Sequence, residues 1–585
     1  MNDTAPVFDI SGFIWNQKYR YRKTSQIIDV DINATWRRVA HALAAAEPTD
    51  PAVWEQMFYN ALEDFRFLPG GRILAGAGTD KEVTLYNCFV MGRIEDSLDG
   101  IFDALKEGAL TMQYGGGVGY DFSTLRPHGV AAQRSGNVAS GPVSFMHTWN
   151  SMCATMTSAG NRRGAMMACL RCDHPDIETF IDAKRTAGVL EHFNLSVLVT
   201  DAFMLAIEQD QQWSLVFPCV DSDTTGEPQV YRQLPARELW DRIMNAAYDT
   251  AEPGVLFIDQ INRQNNLGYC EQIHATNPCG EIPLPYYGAC NLGSVNLTRL
   301  VKNQFSADAE FDFEQLKVIV NTAVRMLDNV IDVSRFPLPT QQQVATSTRR
   351  IGLGITGLAD AFLMLGHRYG DADSIVLADR IMRTLCLAAY QTSIELAKEK
   401  GVFPLFNKVA YLASPFVRAL PDEIREGIAR YGIRNSHLTA IAPAGTISLL
   451  AGNVSSGLEP VFDYRYQRNL VMGDANPGTV KLEDYAYHRW RRQYDNDRLP
   501  DHFATATEIS PQTHLEGQSV LQNYVDNAIS KTINVPEDIT FGEFKSLYTT
   551  AYKKGLKGCA AFRPNPVRGE ILVSGRCCPA AREPE

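Results

Sequence analysis

The assignment of a fold to this chain starts from Asn277-Pro278-Cys279-Gly280-Glu281, which carries an amide, a thiol and a carboxylate at alternate positions. If this segment is extended, side chains at every second position leave on one face, so the three groups would converge on one small substrate. A second thiol, Cys290, follows in a glycine-rich loop, and a third, Cys88, lies far upstream. An isolated cysteine near a glutamate is more often a buried structural thiol, so the pentapeptide alone leaves both interpretations open.

Composition limits the classes of protein that need to be considered. The chain has 585 residues, 45% hydrophobic and 21% charged, which allows several domains or one large α/β unit with additions. A formal net charge of −12 argues against a nucleic-acid scaffold, because phosphate-backbone binding needs clustered Lys and Arg. No apolar run approaches the roughly 20 residues that span a bilayer, and the N-terminus lacks the order of a secretory signal. Twelve scattered cysteines fit a reducing compartment, so we expect a cytoplasmic protein. The charge and the lack of a long apolar run lead us to expect no DNA, RNA or membrane partner.

The alternation of helical and strand-like segments predicts an α/β architecture. The clearest helix is predicted over 311–333, with Asp312 as its N-cap and Gln315 completing a capping box. Near the N-terminus only a small helical element is expected, and the β-prone run 83–86 should place Cys88 at the end of a strand. No repeat of fixed period indicates a solenoid.

Two glycine-containing segments are compared as candidates for binding a phosphate. The segment 352–357 matches the dinucleotide pattern G-x-G-x-x-G, but the polar stretch 346–350 stands where that pattern needs an apolar strand. Close backbone packing at the start of a helix is therefore preferred there. The better-placed turn follows the β-prone run 438–441, and its free N–H groups could hold an anion, although its local sequence fits an ordinary strand-to-helix turn equally well. Its residues are Ala444, Gly445, Thr446, Ile447 and Ser448.

A C-x-x-C motif, Cys169-Leu170-Arg171-Cys172, superficially suggests a metal site or a redox pair. A structural zinc site would need a second pair of ligands at comparable spacing, and the nearest other cysteines, Cys153 and Cys219, are single and distant. We therefore predict no metal site.

Taken together, four separated elements resemble the active site of a ribonucleotide reductase large subunit. They are Cys88, the pattern Asn277-x-Cys279-x-Glu281, Cys290, and the Gly-Thr-Ile-Ser turn at 445–448. The resemblance covers roughly residues 60 to 565 and is specific because the elements occur in the family's order. It implies a ten-stranded α/β barrel of two five-stranded halves around a finger loop that carries the radical cysteine. The domains expected are an N-terminal helical segment (1–66) without an ATP-binding cone, the catalytic barrel (67–566) and a cysteine-bearing tail (567–585).

The resemblance also implies a role for each reactive residue. Cys279 would become a thiyl radical that removes the ribose 3′-hydrogen, while Glu281 takes the 3′-hydroxyl proton and Asn277 holds the hydroxyls. Cys88 and Cys290 would assist loss of the 2′-hydroxyl as water and supply two electrons. They would end as a disulfide, which a thioredoxin- or glutaredoxin-like reductant must reduce.

Substrate binding is assigned on the same resemblance. The diphosphate would rest on the turn 444–448, and Asn87, next to Cys88, is a further substrate-binding candidate. The sequence leaves open whether diphosphates or triphosphates are reduced, but the dimeric members that the chain resembles mostly use diphosphates.

The source of the radical distinguishes the classes of the family. Oxygen-dependent members relay it through two adjacent tyrosines, and the matching positions here are Ala560 and Ala561. Anaerobic members keep a glycyl radical in a C-terminal motif, and nothing in 567–585 matches it. By elimination the chain resembles the adenosylcobalamin-dependent class, and the stretch 558–565 is similar to that class as well.

Allosteric control by a deoxynucleotide or ATP, bound near the interface of a homodimer, is a further implication. The residues that match the effector-binding positions are Asp96, Ser97, Leu98, Arg126, Arg162 and Arg163. A solvated loop is the alternative for these charged residues.

The C-terminal tail departs from the family's pattern. Relatives end in a spaced cysteine pair that reduces the active-site disulfide, whereas this chain has adjacent Cys577 and Cys578, so a working shuttle and a shortened tail are both open. Three alternatives to a cobalamin-dependent reductase are kept. They are an oxygen-dependent reductase subunit with an atypical radical route, a non-catalytic nucleotide-binding relative, and a general thiol oxidoreductase.

Overall fold

Ten strands form one large, mostly parallel sheet in this computed structural model. The structure describes residues 9–24, 26–130, 139–158, 162–218, 227–472, 476–494, 499–564 and 572–574. The strands of the large sheet are β1 (Phe67–Pro69), β2 (Cys88–Val90), β3 (Gly117–Asp121), β4 (Met166–Arg171), β5 (Phe193–Val199), β6 (Gly254–Phe257), β7 (Ala289–Asn296), β8 (Ile351–Thr356), β9 (Thr532–Asn534) and β10 (Gly558–Phe562). The predicted mixed α/β class is therefore confirmed.

The order of the strands divides the sheet into two parts of opposite direction. The path is β8-β7-β2-β3-β4-β5-β6-β10-β9, and β1 pairs with β7 beside this path. Strands β2 to β6 are parallel to one another, whereas β7 and β10 run antiparallel to their neighbours β2 and β6. Two isolated parallel bridges, Leu353 with Thr439 and Ile441 with Ile529, lie between the outer strands β8 and β9.

Helices occupy the connections, because parallel neighbours need a crossover rather than a tight turn. Those within the first part of the sheet are Leu98–Gln113, Pro142–Thr155, Ile177–Asp182, Asp201–Glu208, Ala236–Thr250 and Ile258–Arg263. Those of the second part are Phe313–Val333, Pro339–Thr348, Leu358–Leu365, Ala372–Lys400, Lys408–Ala413, Pro415–Arg418, Asp422–Tyr431, Gly445–Leu450, Tyr485–Tyr494, Pro511–Gln522 and Phe541–Lys553. Among the helices of the described ranges, none has the length and apolar character needed to cross a membrane.

The N-terminal region is helical, as expected, but it holds more than one small element. Its helices are Ile10–Ile14, Ile32–Ala44, Pro51–Leu62 and Gly71–Gly76. The second begins where the Asp31 carboxylate accepts a hydrogen bond from Ala34 N at 2.8 Å, an ordinary N-cap. Its buried residues Trp36, Val39 and Leu43 lie about one helical turn apart, so a single face packs into the core.

The long helix predicted over 311–333 is confirmed and begins at Phe313. Asp312 is the N-cap as predicted, since its carboxylate accepts a hydrogen bond from Gln315 N at 2.9 Å. The predicted capping box is not formed, because Asp312 N donates to Leu300 O at 2.8 Å rather than to the Gln315 side chain. The prediction that Cys88 ends a strand formed by 83–86 is wrong, because Cys88 begins β2 and 83–86 is irregular. Backbone amides of that run are bound elsewhere: Thr84 N donates to Tyr114 O at 3.1 Å, and Leu85 N to the Ser334 hydroxyl at 3.1 Å.

A small apolar cluster on the inner face of the sheet is separate from the main core between sheet and helices. It joins residues of the sheet to residues of a hairpin that crosses this face. Its sheet members include Val90, Met167, Leu198, Leu256 and Leu292, and its hairpin members are Ala275, Ile282 and Leu284. The inner face therefore holds the hairpin by apolar packing.

Candidate active site

The pentapeptide forms the tip of that hairpin, which we call the finger. Ala275–Thr276 pairs antiparallel with Pro283–Leu284, and residues 277–282 form the turn between them. Gly280 N donates to Asn277 O at 3.1 Å, and Gly280 has φ +86°, a conformation that glycine adopts readily. The expectation of an extended segment is therefore wrong, because this turn reverses the chain within the pentapeptide.

Glycines on the surrounding strands let the finger approach the sheet closely. A Cβ on Gly119 of β3 would lie 1.8 Å from Thr276 O, and one on Gly117 would lie 3.2 Å from Pro278 Cγ. A similar close approach, which does not involve the finger, occurs at β8, where a Cβ on Gly354 would lie 2.2 Å from Ala440 O. The match to G-x-G-x-x-G at 352–357 thus reflects close backbone packing, as preferred, but within strand β8 rather than at a helix start.

Cys88 and Cys290 are directly opposite each other on the antiparallel strands β2 and β7. Opposite residues of such a pair have Cα atoms about 4.5–5.5 Å apart, within the usual range of about 4.4–6.8 Å for a disulfide. Both thiols are free and buried. Burial and then the nearby Glu281 carboxylate raise the pKa of Cys88 well above its usual range, and burial raises the pKa of Cys290. Both are therefore protonated at neutral pH.

The turn brings Asn277 and Glu281 to the same thiol. Asn277 Nδ2 donates to Cys88 Sγ at 3.1 Å, and the Cys88 thiol donates to Glu281 Oε1 at 3.8 Å. Asn277 Oδ1 accepts from Ile282 N at 3.0 Å, which fixes the orientation of the amide. With 1% and 2% of their surfaces exposed, Asn277 and Glu281 form a dry site in which a carboxylate can act as a base.

Cys279 differs from these four residues because it is exposed at the tip of the finger. Asn194 Nδ2 donates to Pro278 O at 2.7 Å and so ties the tip to β5. A Cβ placed on Gly280 would have no heavy atom within 4 Å. The tip therefore has open space at Gly280, the residue that follows the exposed Cys279.

The turn 444–448 leads into the short helix Gly445–Leu450, as the sequence predicts. The β-prone run 438–441 before it is not a strand, however, and forms only isolated bridges at Thr439 and Ile441. Ala444 has φ +53°, and a Cβ on Gly445 would meet nothing within 4 Å, so the turn faces open space. The Ser448 hydroxyl is buried and lies 2.7 Å from the Thr356 hydroxyl, which anchors the helix to the end of β8. Elsewhere, the buried oxygen Asn87 Oδ1 has no hydrogen-bond partner within the described residues.

Asp96 and Arg126 lie together, as the effector-site prediction requires. Arg126 Nε donates to Asp96 Oδ2 at 2.7 Å, and its backbone amide donates to the other carboxylate oxygen at 3.2 Å. Ser97 caps the helix Leu98–Gln113, on which Leu98 is 65% and Phe102 53% exposed. For Arg162–Arg163 only the backbone, a strand of a small hairpin, is described.

The cysteines of the C-x-x-C motif do not face each other. Cys169 belongs to the inner apolar cluster, whereas Cys172 belongs to the outer core, so the two thiols lie on opposite faces of the sheet. No group of three or more His, Cys, Asp or Glu within the described ranges could hold a metal ion. Cys577 and Cys578 lie outside the described residues, although Leu572–Ser574 pairs with Arg465–Met472.

Sequence reasoning missed two contacts that hold the finger. One is Asn194, on β5, and the other is Ala528, whose amide donates to Glu281 O at 2.9 Å. Neither residue stands in a recognisable motif. Each of them donates a hydrogen bond to a backbone carbonyl of the finger, Pro278 O or Glu281 O. Because every residue has a backbone carbonyl, no local sequence signal could have identified these donors.

A dithiol across two strands, with a third thiol on a finger between opposed halves of a sheet, defines the class of protein. The model of the "Ribonucleotide reductase, barrel domain" matches residues 86–562, and that of the "Ribonucleotide reductase, all-alpha domain" matches residues 9–82. The chain belongs to the ribonucleotide reductase large-chain family, which confirms the predicted family and with it an oxidoreductase.

Similar proteins narrow the assignment within the family. A "Vitamin B12-dependent ribonucleoside-diphosphate reductase" of Mycobacterium tuberculosis (strain CDC 1551 / Oshkosh) is 40% identical over 561 residues, covering 92% of this chain and 76% of that protein. One with the same name from Thermoplasma acidophilum is 36% identical over 536 residues, covering 88% and 66%. A "Ribonucleoside-diphosphate reductase subunit alpha" of Chlamydia pneumoniae is 27% identical, covering 89% and 56%. The first two names state the vitamin B12 dependence that Ala560 and Ala561 led us to expect.

Proposed function

We propose that the chain reduces ribonucleoside diphosphates to 2′-deoxyribonucleotides for DNA synthesis, by a thiyl-radical mechanism that adenosylcobalamin initiates. The observation that carries the proposal is the arrangement around Cys88. Its thiol faces Cys290 across two strands, contacts Asn277 and Glu281, and lies below a finger whose tip exposes Cys279. Cys279, Glu281 and Asn277 each have a separate task in this reaction, and Cys88 and Cys290 share one.

The exposed thiol and the carboxylate act on the 3′ position of the ribose. The Cys279 thiyl radical takes the 3′-hydrogen atom, and the Glu281 carboxylate accepts the proton of the 3′-hydroxyl. Asn277 holds the ribose hydroxyls with its amide. Because Glu281 and Asn277 are buried while Cys279 is open, the substrate must enter from the side of the tip.

The cross-strand dithiol completes the redox balance. The 2′-hydroxyl leaves as water, and Cys88 and Cys290 together give up two electrons and two protons and form one disulfide. Both thiols are protonated at neutral pH, so the protons are already in place. An external thioredoxin- or glutaredoxin-like dithiol then reduces the disulfide, and Cys577 and Cys578 are proposed to carry the electrons inward.

The residues at the finger tip fit a large cofactor. The open space beside Gly280 and the exposure of Cys279 leave room above the thiol, with Asn194 at its edge. When bound, adenosylcobalamin supplies a carbon-centred radical by homolysis of its cobalt–carbon bond. Asn194 and Gly280 would flank it, and Cys279 would give up its hydrogen atom there.

The remaining assignments follow from the fold. We assign ten strands to a closed barrel, because bridges at Thr439 and Ile441 lie between β8 and the segment before β9. The substrate diphosphate is assigned to the open turn at 444–448, with Asn87 beside Cys88. A deoxynucleotide or ATP effector is assigned to the region of Asp96 and Arg126, near the interface of a cytoplasmic homodimer.

The test is an assay of the purified chain with adenosylcobalamin, a ribonucleoside diphosphate and dithiothreitol. Deoxynucleotide is expected only when the cofactor is present, and no added metal-bearing subunit is needed. Cys279→Ser is expected to abolish product while equilibrium binding of the ribonucleotide is retained. Cys172→Ser is the matched control, because Cys172 is a buried thiol on the outer face, and it should keep activity. Absence of product from the wild-type chain with cofactor, or activity in Cys279→Ser, overturns the proposal.

A further inference from the structure

Lys557 is a buried lysine beside the active-site compartment. Only 3% of its surface is exposed, and its ammonium or amine nitrogen donates to two backbone carbonyls. It bonds Asp526 O at 2.6 Å, and it is also hydrogen-bonded to Asn527 O. Burying a lysine is costly unless its N–H groups are satisfied, so these two bonds are needed for the side chain to be there at all.

The turn that Lys557 holds is in direct contact with the finger. Ala528, the next residue along this turn, donates its amide to Glu281 O at 2.9 Å. Ala528 O in turn accepts from Ile441 N at 3.2 Å, and Asn527 N donates to Thr439 O at 3.1 Å. The turn 526–528 therefore connects the finger to the segment 439–441.

The other side of this turn is fixed independently of Lys557. The two Asp526 carboxylate oxygens accept from Leu438 N and Thr439 N, each at 2.8 Å, and Tyr390 donates its hydroxyl to the same carboxylate at 2.8 Å. Lys557 donates the hydrogen bonds that the backbone carbonyls of Asp526 and Asn527 accept. Loss of the lysine would therefore loosen the part of the turn nearest Glu281 and leave the carboxylate anchor in place.

The charge on Lys557 is not required for these contacts. Burial, opposed by Asp526 and assisted by Arg350, lowers the pKa of Lys557 to about 7. A neutral amine still has two N–H donors, which equals the number of carbonyls that it meets. Both protonation states can hold the turn.

We propose that Lys557 is a positioning residue for the catalytic base: through the turn 526–528 it holds the backbone of the finger at Glu281. The inference rests on the proposed function for the role of Glu281, but the mechanical link stands on the hydrogen bonds alone. Lys557 touches neither the substrate nor the reacting atoms. Its effect is on where Glu281 lies relative to Cys88 and the ribose.

The experiment compares Lys557→Met with Lys400→Met in the full chain. Lys400 is partly buried, with 8% of its side chain exposed, and it donates to Glu47 and Asn329. It ends the helix Ala372–Lys400, away from the finger. Three quantities are measured for each variant: thermal stability, kcat and KM for the ribonucleotide, and hydrogen exchange of peptides covering 275–284. Methionine nearly matches lysine in length, so the variant removes donors without leaving a large cavity.

For Lys557→Met, kcat should fall about tenfold to hundredfold, because a small displacement of a catalytic group is enough for that loss. KM should stay within about twofold, and exchange in the finger peptides should rise about tenfold. Lys400→Met should lose stability to a similar degree without either effect. The inference is overturned if Lys557→Met keeps its kcat and its finger exchange, or if Lys400→Met lowers kcat equally. If the wild-type chain forms no deoxynucleotide, the proposed function fails, whereas the exchange data still decide the link to the finger.

Discussion

Replacing Gly119 by alanine tests whether the finger must lie as close to β3 as the structure shows. The added Cβ would lie 1.8 Å from Thr276 O, and Cβ atoms essentially never approach another heavy atom within 3.0 Å. The difference between 3.0 Å and 1.8 Å means that the two groups must separate by 1.2 Å. Neither side can yield by a side-chain rotation, because the clash is with the backbone.

The finger is expected to move, since β3 is held between β2 and β4 by its ladder of hydrogen bonds. Cys279 follows Thr276 by three positions, so a displacement of this size moves the thiol away from its productive position. A misplacement of about 1 Å costs about 100-fold in rate, and overpacking costs about 1–3 kcal/mol of stability. We therefore expect kcat for deoxynucleotide formation to fall about 100-fold in Gly119→Ala, with a modest loss of thermal stability.

Gly117→Ala is the matched control on the same strand and the same face. Its Cβ would lie 3.2 Å from Pro278 Cγ, the edge of a ring that can shift by a few tenths of an ångström. It should keep kcat within about threefold, since volume changes that neighbours can absorb cost little. Equal activities for Gly119→Ala and the wild-type chain, at equal stability, would show that the close approach has no functional role.

Three further predictions concern stability, assembly and regulation. Burial and then the Asp360 carboxylate raise the pKa of Asp484 well above its usual range, so the folded state holds an extra proton whose stabilising effect is full below pH 3.8 and is lost as pH rises through the folded pKa. Asp484→Asn should therefore flatten the loss of melting temperature as the pH rises above 3.8 towards the folded pKa. Thermal unfolding from pH 5 to 9 measures this slope, and an unchanged slope would contradict the prediction. Exposed Leu98 and Phe102 are expected at the homodimer interface. Changing both to glutamate should convert the dimer to a monomer, as measured by light scattering. Persistence of the dimer would place the interface elsewhere. Arg126→Ala should weaken, by at least about tenfold, the effect of added deoxynucleotide on which ribonucleotide is reduced, because it removes the charge-assisted contacts to Asp96. An unchanged effect would show that Arg126 is not part of the effector site.

Much of the site was predictable because the reactive side chains identify themselves by type and order. The sequence shows directly the amide, thiol and carboxylate groups at 277–281 and the thiols at 88 and 290. The helix starting at Phe313 was predictable for a similar reason, since its cap and its periodic apolar face are local signals.

What the sequence by itself determined, then, is which groups can react, their order along the chain and the α/β class. The family resemblance implied that Cys88 and Cys290 act as a pair, but their residue types and spacing alone do not place them together. The tertiary structure does so, because strand pairing across about 200 residues depends on the register of the whole sheet. It also replaced the expected extended pentapeptide by a tight turn, which separates the exposed Cys279 from the buried Asn277 and Glu281. That separation depends on the short distance between the finger and the strands, which the strand glycines allow. This distance is set by tertiary packing and cannot be inferred from a local sequence pattern.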